Sequence, residues 1–517
     1  MIEYLTDRSS IKRAGQRIRT VIDGRDEWFF SLSDFTTSSL LISNEISLRI
    51  GARKLILSCV TDEGLTKWRV YGWEWTGDKL LLEVTGRGGP ETTVIELIPR
   101  ASARAIAEVV SESRRARCYT MAGLACRVLN GARIFRMALS AGSRRGQPGR
   151  DARILLETRD DRIAVTVTVA EDDGTGIDAF LSSALIWYLR AAEGIRRPFV
   201  RRLWLVTPKA KVEALSERLA MLRSDLQSAI TLFEIDDAWT QLVKVSPIDR
   251  DDLIREAPAR VQRSYSDNTT KSATEIKSLA PEAIDILRSR NGETLRFHGL
   301  AFARVRRLLN CERVWFGIDS ANRRLLDDRS YSEWDKLVGD LITHRNAMTT
   351  DRYHAFYRAA PEAWLEFLLR RDITRLDPGL RIAPIHAQFR TSPASAGAAR
   401  PVDLLALRHD GRLAVIELKV AEDRSHVLQG ADYWRRVEAH RRCGNIQRWR
   451  LFDDAAIADV PPLVYLAAPM LSFHKAFDTL ANAIAPDIKI YRFDLNEDWR
   501  SGVRVMRRLR ANRRVVT

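Results

Sequence analysis

Three residues in the C-terminal third have types and spacing that could do chemistry: Asp403, Glu417 and Lys419. An acid, followed later by an acid and an amine two residues apart, sits among otherwise apolar residues. Such charges are buried only when they pair with one another or bind a metal. Two hard carboxylates and the backbone carbonyl of Leu418, between Glu417 and Lys419, suit Mg²⁺ or Mn²⁺; Mg²⁺ favours oxygen ligands and keeps several of its waters. A metal-held water beside an ammonium is equipped to attack phosphorus.

The stretch RPVDLLALRHDGRLAVIELKVAEDRSHVLQGADY, Arg400 to Tyr433, supplies the elements that must hold these groups. Asp403 opens one apolar run, a polar turn follows at Arg408–Gly411, and a second run covers Leu413–Val420. That is the pattern of a β-hairpin followed by a helix. Side chains alternate along a strand, so Leu413, Val415, Glu417 and Lys419 share one face, and Ala414, Ile416, Leu418 and Val420 the other. Hairpin pairing brings Asp403 alongside. Composition singles out the lysine: the chain holds 70 Arg and 13 Lys, and no other lysine lies between Lys336 and Lys475. Arginine serves wherever a generic cation will do. It is effectively never deprotonated, whereas a lysine beside a metal can shift its pKa and handle a water.

With Gln429 and Tyr433 one helical turn apart after Glu417-Leu418-Lys419, the stretch resembles the PD-(D/E)xK nuclease superfamily. The Gln-x-x-x-Tyr element is similar to that of the RecB-like and NucS-like branches. The resemblance covers about residues 361–470 and departs in carrying Pro401-Val402-Asp403 where the family name has Pro-Asp. It implies a restriction-endonuclease-like α/β fold, hydrolysis of phosphodiester bonds with Mg²⁺ or Mn²⁺, and DNA as the partner, RNA being left open. Asp403 and Glu417 would hold the metal together with the Leu418 carbonyl. Lys419 would orient and activate the attacking water and offset developing charge, and Gln429 and Tyr433 would position the site. Glu366, on an amphipathic helix over Pro361–Arg371, is the acid that the resemblance brings to the metal through water; Glu362, one turn earlier, is the alternative. Arg436 and His440 continue the face of Gln429 and Tyr433, and His426 and His440 stay outside the catalytic set. Repair, restriction and anti-phage defence all fit. The rival readings are an RNase and a non-catalytic nucleic-acid-binding or assembly protein built on two nuclease folds.

At 517 residues and 45% hydrophobic content the chain can bury several cores. No run reaches the ~18 uncharged apolar residues of a membrane span. The N-terminal MIEYLTDRSSIKRAG lacks the apolar core of a signal peptide, so the expectation is a cytoplasmic protein with no membrane partner. Cys59, Cys118, Cys126, Cys311 and Cys443 show no paired spacing, which argues against a zinc site or a disulfide framework. The net charge of +16 favours a polyanionic partner, although an arginine-rich genome gives the same bias.

The expected fold is a multidomain mixture of α/β and β. Residues 1–100 read as a β-rich barrel or sandwich, with apolar runs at Trp28–Phe30, Leu40–Ile42, Leu55–Val60, Lys67–Trp75, Lys79–Val84 and Thr93–Ile98. Trp73 and Trp75 there share a face with Tyr71, which either stacks on bases or fills a core. Residues 101–261 read as a degenerate nuclease-like α/β domain. Helical patterns at Ala101–Ser113 and Tyr119–Leu139 precede a repeat: set against Arg400–Val420 at an offset of 250, Arg150–Ala170 puts Arg162-Ile163-Ala164-Val165 on Arg412-Leu413-Ala414-Val415. A helix at Asp178–Glu193, a strand at Leu203–Pro208, a helix at Val212–Gln227 and a strand at Ile230–Phe233 follow. At that offset Asp403, Glu417 and Lys419 fall on Arg153, Val167 and Val169, and the metal face becomes Ile163, Val165, Val167 and Val169.

Residues 262–280 read as a linker, and 281–350 as a small basic α/β module. The module has helices around Pro281–Arg290 and Ala301–Leu309, a hairpin Arg313–Leu326 and a helix from Ser332 to Arg345. Arg304, Arg306, Arg307, Arg323 and Arg324 make it basic. The nuclease-like domain spans 351–499, with a strand at Ile382–Phe389 in which Gln388 faces the site, and a small-residue loop, TSPASAGAAR, before Asp403. Residues 500–517 form a basic tail, either phosphate-binding or a terminal helix. One intact site hydrolyses one phosphodiester at a time, so nicking, or cutting of single-stranded or branched DNA, is expected, with double breaks only through a homodimer.

Overall fold

The computed structural model describes residues 2–32, 38–61, 64–77, 79–85, 92–141, 148–170, 176–194, 197–255, 257, 269–289, 292–308, 311–318, 323–389 and 401–512. The chain is mixed α/β and falls into two compact units. One comprises Met1–Phe180, Trp187–Val212 and Ala229–Val245; the other comprises Leu181–Ile186, Glu213–Ser228 and Ser246–Thr517.

The first unit opens with β1 (Glu3–Tyr4), α1 (Arg8–Asp23), β2 (Glu27–Leu32), β3 (Ser38–Ile42), β4 (Ile46–Ile50), β5 (Leu55–Thr61), β6 (Gly64–Trp75), β7 (Leu80–Thr85) and β8 (Thr92–Pro99). The strands form one antiparallel sheet, ordered β3-β2-β8-β7-β6-β5-β4 with β1 on β6. Helix α1 is an addition to the β-rich expectation. Asp7 caps it, accepting from the Ser10 N–H at 2.8 Å, and Ile11, Ala14, Ile18 and Ile22 lie at helical spacing on the face that joins Trp28, Leu57, Leu82 and Leu97 in a single core. Strand alternation breaks at Tyr71–Gly72, where β6 slips one residue against β7. This bulge turns Trp73 and Trp75 onto the core of Trp68 and Val70. Tyr71 does not share their face, and lies instead under the Arg69 guanidinium, 4.8 Å from its ring centre. Core filling is therefore what the two tryptophans do.

Next come α2 (Arg100–Val128), β9 (Arg133–Ala141), β10 (Pro148–Glu157), β11 (Arg162–Thr168), α3 (Ile177–Ala192), β12 (Val200–Pro208), α4 (Lys209–Leu219), α5 (Ser224–Ala229), β13 (Ile230–Ile235) and β14 (Leu242–Lys244). The helix expected to reach Leu139 stops at Val128, because Gly131 takes a positive φ of 85° just beyond it and Arg133 onward is strand. The single helix expected over Val212–Gln227 is two. The sheet runs β14-β13-β12-β11-β10-β9, with β11, β12 and β13 parallel and the other neighbours antiparallel. Ile163, Val165, Val167 and Val169 are buried against Met121, Leu124 and Ala125 of α2.

The second unit contains α6 (Arg250–Arg255), α7 (Lys271–Ser278), β15 (Ile284–Ser289), β16 (Gly292–Phe297), β17 (Leu300–Leu308), β18 (Cys311–Phe316), β19 (Arg324–Leu325), α8 (Tyr331–His344) and α9 (Ala355–Arg358). Part of the expected linker, 262–268, lies outside the described residues; the rest includes α7, capped by Thr270. The segments expected to be helical at Pro281–Arg290 and Ala301–Leu309 are strands β15 and β17 of a five-stranded antiparallel sheet. The deciding signal is local. His298 and Gly299 have φ of 41° and 78°, a two-residue hairpin turn, and a Cβ at Gly299 would collide with the Ala363 carbonyl oxygen.

Helix α10 (Pro361–Arg371) leads to the last sheet: β20 (His386–Phe389), β21 (Val402–Leu407), β22 (Leu413–Leu418), α11 (His426–Arg442), α12 (Asn445–Arg448), β23 (Leu463–Pro469), α13 (Phe477–Ala483), β24 (Ile490–Leu495) and β25 (Val505–Arg510). The strands lie in chain order, with β22, β23 and β24 parallel and the rest antiparallel. Where a basic tail or terminal helix was expected, β25 closes the sheet, and its arginines are tied down: Arg507 to Asp494 at 2.6 Å and Arg508 to Asp377 at 3.2 Å. The loop 391–400 and the Gln388 side chain lie outside the described residues. No helix among the described residues is long and apolar enough to cross a membrane.

Candidate active site

The hairpin β21–β22 sets the site. Its register pairs Leu404 with Ile416 and Leu405 with Val415, which brings Asp403 level with Glu417. Strand β22 is buried along its whole length. Ala414, Ile416 and Leu418 pack on Trp364 and Leu365 of α10, while Leu413 and Val415 pack on Tyr433 and Val437 of α11. Glu417 belongs by alternation to the α11 face, and it is 2% exposed. The Leu418 N–H donates to Asp403 Oδ2 at 2.9 Å, and Lys419 Nζ donates to Glu417 Oε1 at 2.8 Å. Asp423 lies 4.0 Å from the same ammonium. Gly430 lets α11 approach the sheet, since a Cβ there would stand 2.7 Å from Leu466 Cδ2.

The electrostatics follow from this crowding. Burial, then the neighbouring Asp403 charge, push the Glu417 carboxyl well above its ordinary value, and Lys419 only partly offsets them. Burial pulls the Lys419 ammonium down, but Glu417, Glu362 and Asp403 outweigh it and raise it above its ordinary value. Lys419 is thus held as a cation. Burial and the charges of Glu417 and Asp403 raise the Tyr433 hydroxyl, which shares the acids' surroundings. His426 is fully enclosed and driven down to about 3, chiefly by burial and then by Lys419. Its Nε2 lies 3.3 Å from the Glu417 carbonyl oxygen, where a neutral ring can donate, so it braces the strand.

Two buried oxygens here have no hydrogen-bond partner among the described residues: Glu417 Oε2 and Gln429 Oε1. Buried acceptors are almost always satisfied, so an orphan Glu417 oxygen beside the Asp403 carboxyl fits a cation. No group of three His, Cys, Asp or Glu side chains among the described residues gathers closely enough to hold a metal. The donor set is two acids with the Leu418 carbonyl. That suits Mg²⁺, which is commonly bound through one or two carboxylates and fills its shell with water.

Asp403, Glu417, Lys419 and Tyr433 come together, with Gln429 buried one turn before Tyr433 on α11; Glu366 does not join them. Its carboxylate lies 3.1 Å from Arg296, which with Arg370 also holds Asp285, each at 2.6 Å. Glu362 takes the position instead. It receives the Val420 N–H and stands among the charges of Lys419, Asp403 and Asp423. It is exposed to solvent, and crowding by protein atoms raises its carboxyl with water softening the effect. One turn of α10 climbs about 6 Å, so only one of the two acids can lie level with the end of β22. His440 is buried with its Nδ1 3.1 Å from Asn445 Nδ2.

Sequence reasoning missed Asp432. This buried acid binds Arg435 at 2.9 Å, Arg218 at 3.0 Å and Arg436, and Glu217 joins through Arg435 at 2.8 Å. Burial alone would raise its carboxyl, yet the three guanidiniums hold it well below the usual range. Arg436 also lies over the Tyr433 ring at 4.9 Å, so the network fixes the helix face that carries Tyr433. Asp432 followed by Arg at i+3 and i+4 was a visible signal; Arg218, from far upstream, was not.

The earlier sheet corrects the counterpart residues. Its register pairs Arg153 with Thr166 and Ile154 with Val165, the latter on the α2 face. Leu404 and Ile416 are the corresponding pair on the α10 face. Asp403, Glu417 and Lys419 therefore correspond to Arg153, Thr166 and Thr168, not to Arg153, Val167 and Val169.

No protein-family model, no curated protein and no solved structure matches the chain.

Proposed function

We propose that the chain is a metal-dependent nuclease of the PD-(D/E)xK type, hydrolysing phosphodiester bonds of DNA, with residues 351–499 as its catalytic domain and 101–261 as a degenerate copy. The observation that carries this reading is the Asp403–Glu417 pair: Glu417 is buried beside the half-buried Asp403, its Oε2 has no partner among the described residues, and Lys419 Nζ lies 2.8 Å from its other oxygen. Asp403, Glu417 and the Leu418 carbonyl would hold Mg²⁺ or Mn²⁺. When bound, the ion supplies Lewis acidity and lowers the pKa of a water. Lys419, kept protonated by the acids, places a fixed positive charge where negative charge develops on the phosphorus oxygens. It acts as cation and positioner, and the acids' hold on it argues against proton removal by its neutral form. Gln429, whose Oε1 is buried without a partner among the described residues, would accept a hydrogen bond from the attacking water, Tyr433 holds the acids' flank, and Glu362 stands at the solvent side. The test is cleavage of supercoiled plasmid and labelled oligonucleotides with Mg²⁺ or Mn²⁺, comparing wild type with Lys419→Ala. Loss of cut products in the variant supports the reading; equal cleavage by both sinks it.

A further inference from the structure

The five-stranded sheet presents a second chemistry. Pairing in register sets Arg304 across from Trp315 and Arg306 across from Arg313. These four side chains share one face of β17 and β18, on the far side from Val305, Val314 and Phe316, which belong to the core. Arg323, before β19, adds its charge to the same neighbourhood: burial first, then Arg306 and Arg323, hold the Arg304 guanidinium below its usual value. Among the described residues no carboxylate pairs with Arg304, Arg306 or Arg313, although Arg307 and Arg324 close by find Glu312 and Glu333. The Nε atoms of Arg304 and Arg306 are buried without partners. Arg306 lies 5.8 Å from the half-buried Trp315 ring, and Arg313 is exposed. Folding thus places like charges together at the expense of stability, with no carboxylate among the described residues to offset Arg304, Arg306 or Arg313.

We propose that this face of β17 and β18 binds single-stranded nucleic acid, with Arg304, Arg306 and Arg313 on phosphates and a base stacked on Trp315. Alternate residues on a strand stand about 6.7 Å apart, so Arg304 and Arg306 offer guanidiniums in a row along an extended backbone. Charge favours any polyanion; an aromatic ring between the charges favours one with flat, unpaired bases. The choice of polymer rests on the nuclease reading, while the face itself does not.

The experiment is fluorescence anisotropy of a labelled oligo(dT) on the full chain in EDTA, so that no cleavage is needed. Arg304→Gln/Arg306→Gln should weaken binding tenfold or more and flatten the log–log salt slope by about 1.4, near 0.7 per phosphate on a single strand. Trp315→Ala should weaken it fivefold or more, and Trp315→Phe should retain most of it. Exposed Arg313→Gln, which does not threaten folding, should weaken it severalfold. Arg324→Gln, which removes the same charge from a paired arginine, should change it less than twofold. Duplex of equal length should bind more weakly than single strand. Unaltered affinity in the Arg313 and Trp315 variants, equal loss in Arg324→Gln, or equal binding of duplex would overturn the proposal. A wild type that binds as described but never cuts sinks the nuclease reading alone, and one that cuts while these variants bind normally sinks only this one.

Discussion

Two sheets in this chain are built alike and chemically opposed. The sheet β9–β14 and the sheet β20–β25 each have six strands in chain order, with the same sequence of antiparallel and parallel neighbours. Each has a helix before it packed on one face of the central strand, and each second parallel strand ends in proline, Pro208 and Pro469. Yet where the later sheet carries Asp403, Glu417 and Lys419, the earlier carries Arg153, Thr166 and Thr168. Its Thr166 is 2% exposed and neutral, Thr168 donates to Asp151 at 3.2 Å, and Arg153 reaches the ring of Trp187 at 5.8 Å. The difference teaches that this framework accepts either charged or neutral residues at the end of its central strand, and that the later copy keeps three charges there although Glu417 is buried and Asp403 and Lys419 are half-buried.

The comparison breaks most decisively at the level of activity. Asp403→Asn, Glu417→Gln and Lys419→Ala should each reduce cleavage by roughly a hundredfold or more, with oligonucleotide binding changed only a few-fold. Arg153→Ala and Thr168→Ala should leave the rate of cutting on plasmid unchanged; a matching loss from either would mean that the earlier sheet also does chemistry.

Next in size is the network that only the later sheet's helix has. Asp432→Asn should lower stability by about 3–5 kcal/mol in chemical denaturation, because Arg218, Arg435 and Arg436 would keep their charges without the acid. A loss under 1 kcal/mol would show that water reaches those guanidiniums. For the earlier sheet, Val167→Ala should remove about 1–3 kcal/mol and leave any cleavage rate intact, as a core methyl deletion does.

The smallest effect has the opposite sign. Glu417 has its folded carboxyl raised above the ordinary 4.5, so the stability due to its protonated form is present at acid pH and is lost as pH rises through the folded value. At neutral pH without metal, Glu417→Gln should therefore melt slightly higher than wild type, and the gap should close on acidification. Mg²⁺ should raise the melting point of wild type more than that of the variant. A variant that melts lower at every pH would place the carboxylate among the stabilising groups.

The β21–β22 hairpin was legible because its signal is local: alternation, a polar turn and three charges within 17 residues of sequence. The partner hairpin was legible as a repeat but misread by one position. Five residues, 408–412, separate the paired Leu407 and Leu413, whereas four, 158–161, separate Glu157 and Arg162. One extra turn residue moves every later side chain to the other face, which a constant offset cannot register. The Tyr71–Gly72 bulge misled in the same way. In the basic module, Ala301–Leu309 holds alanine, leucine and arginine, all good helix formers, and the His298–Gly299 turn overrode them. The Glu366 reading failed because its partner Arg296 lies on β16, a strand for which the sequence reading had no assignment.

Helix α11 is buried from His426 to His440, on all of its sides, and part of its covering comes from residues around Arg218 and from α6. During synthesis those covering segments emerge more than 170 residues before Asp432. At 5–20 residues per second they wait on the order of 10–40 s for the helix that neutralises them. Through that interval Glu217 and Arg218 have each other but not Asp432. The site cannot be assembled on a nascent chain until α11 has been made, so its completion is set by the order in which the polypeptide is read out.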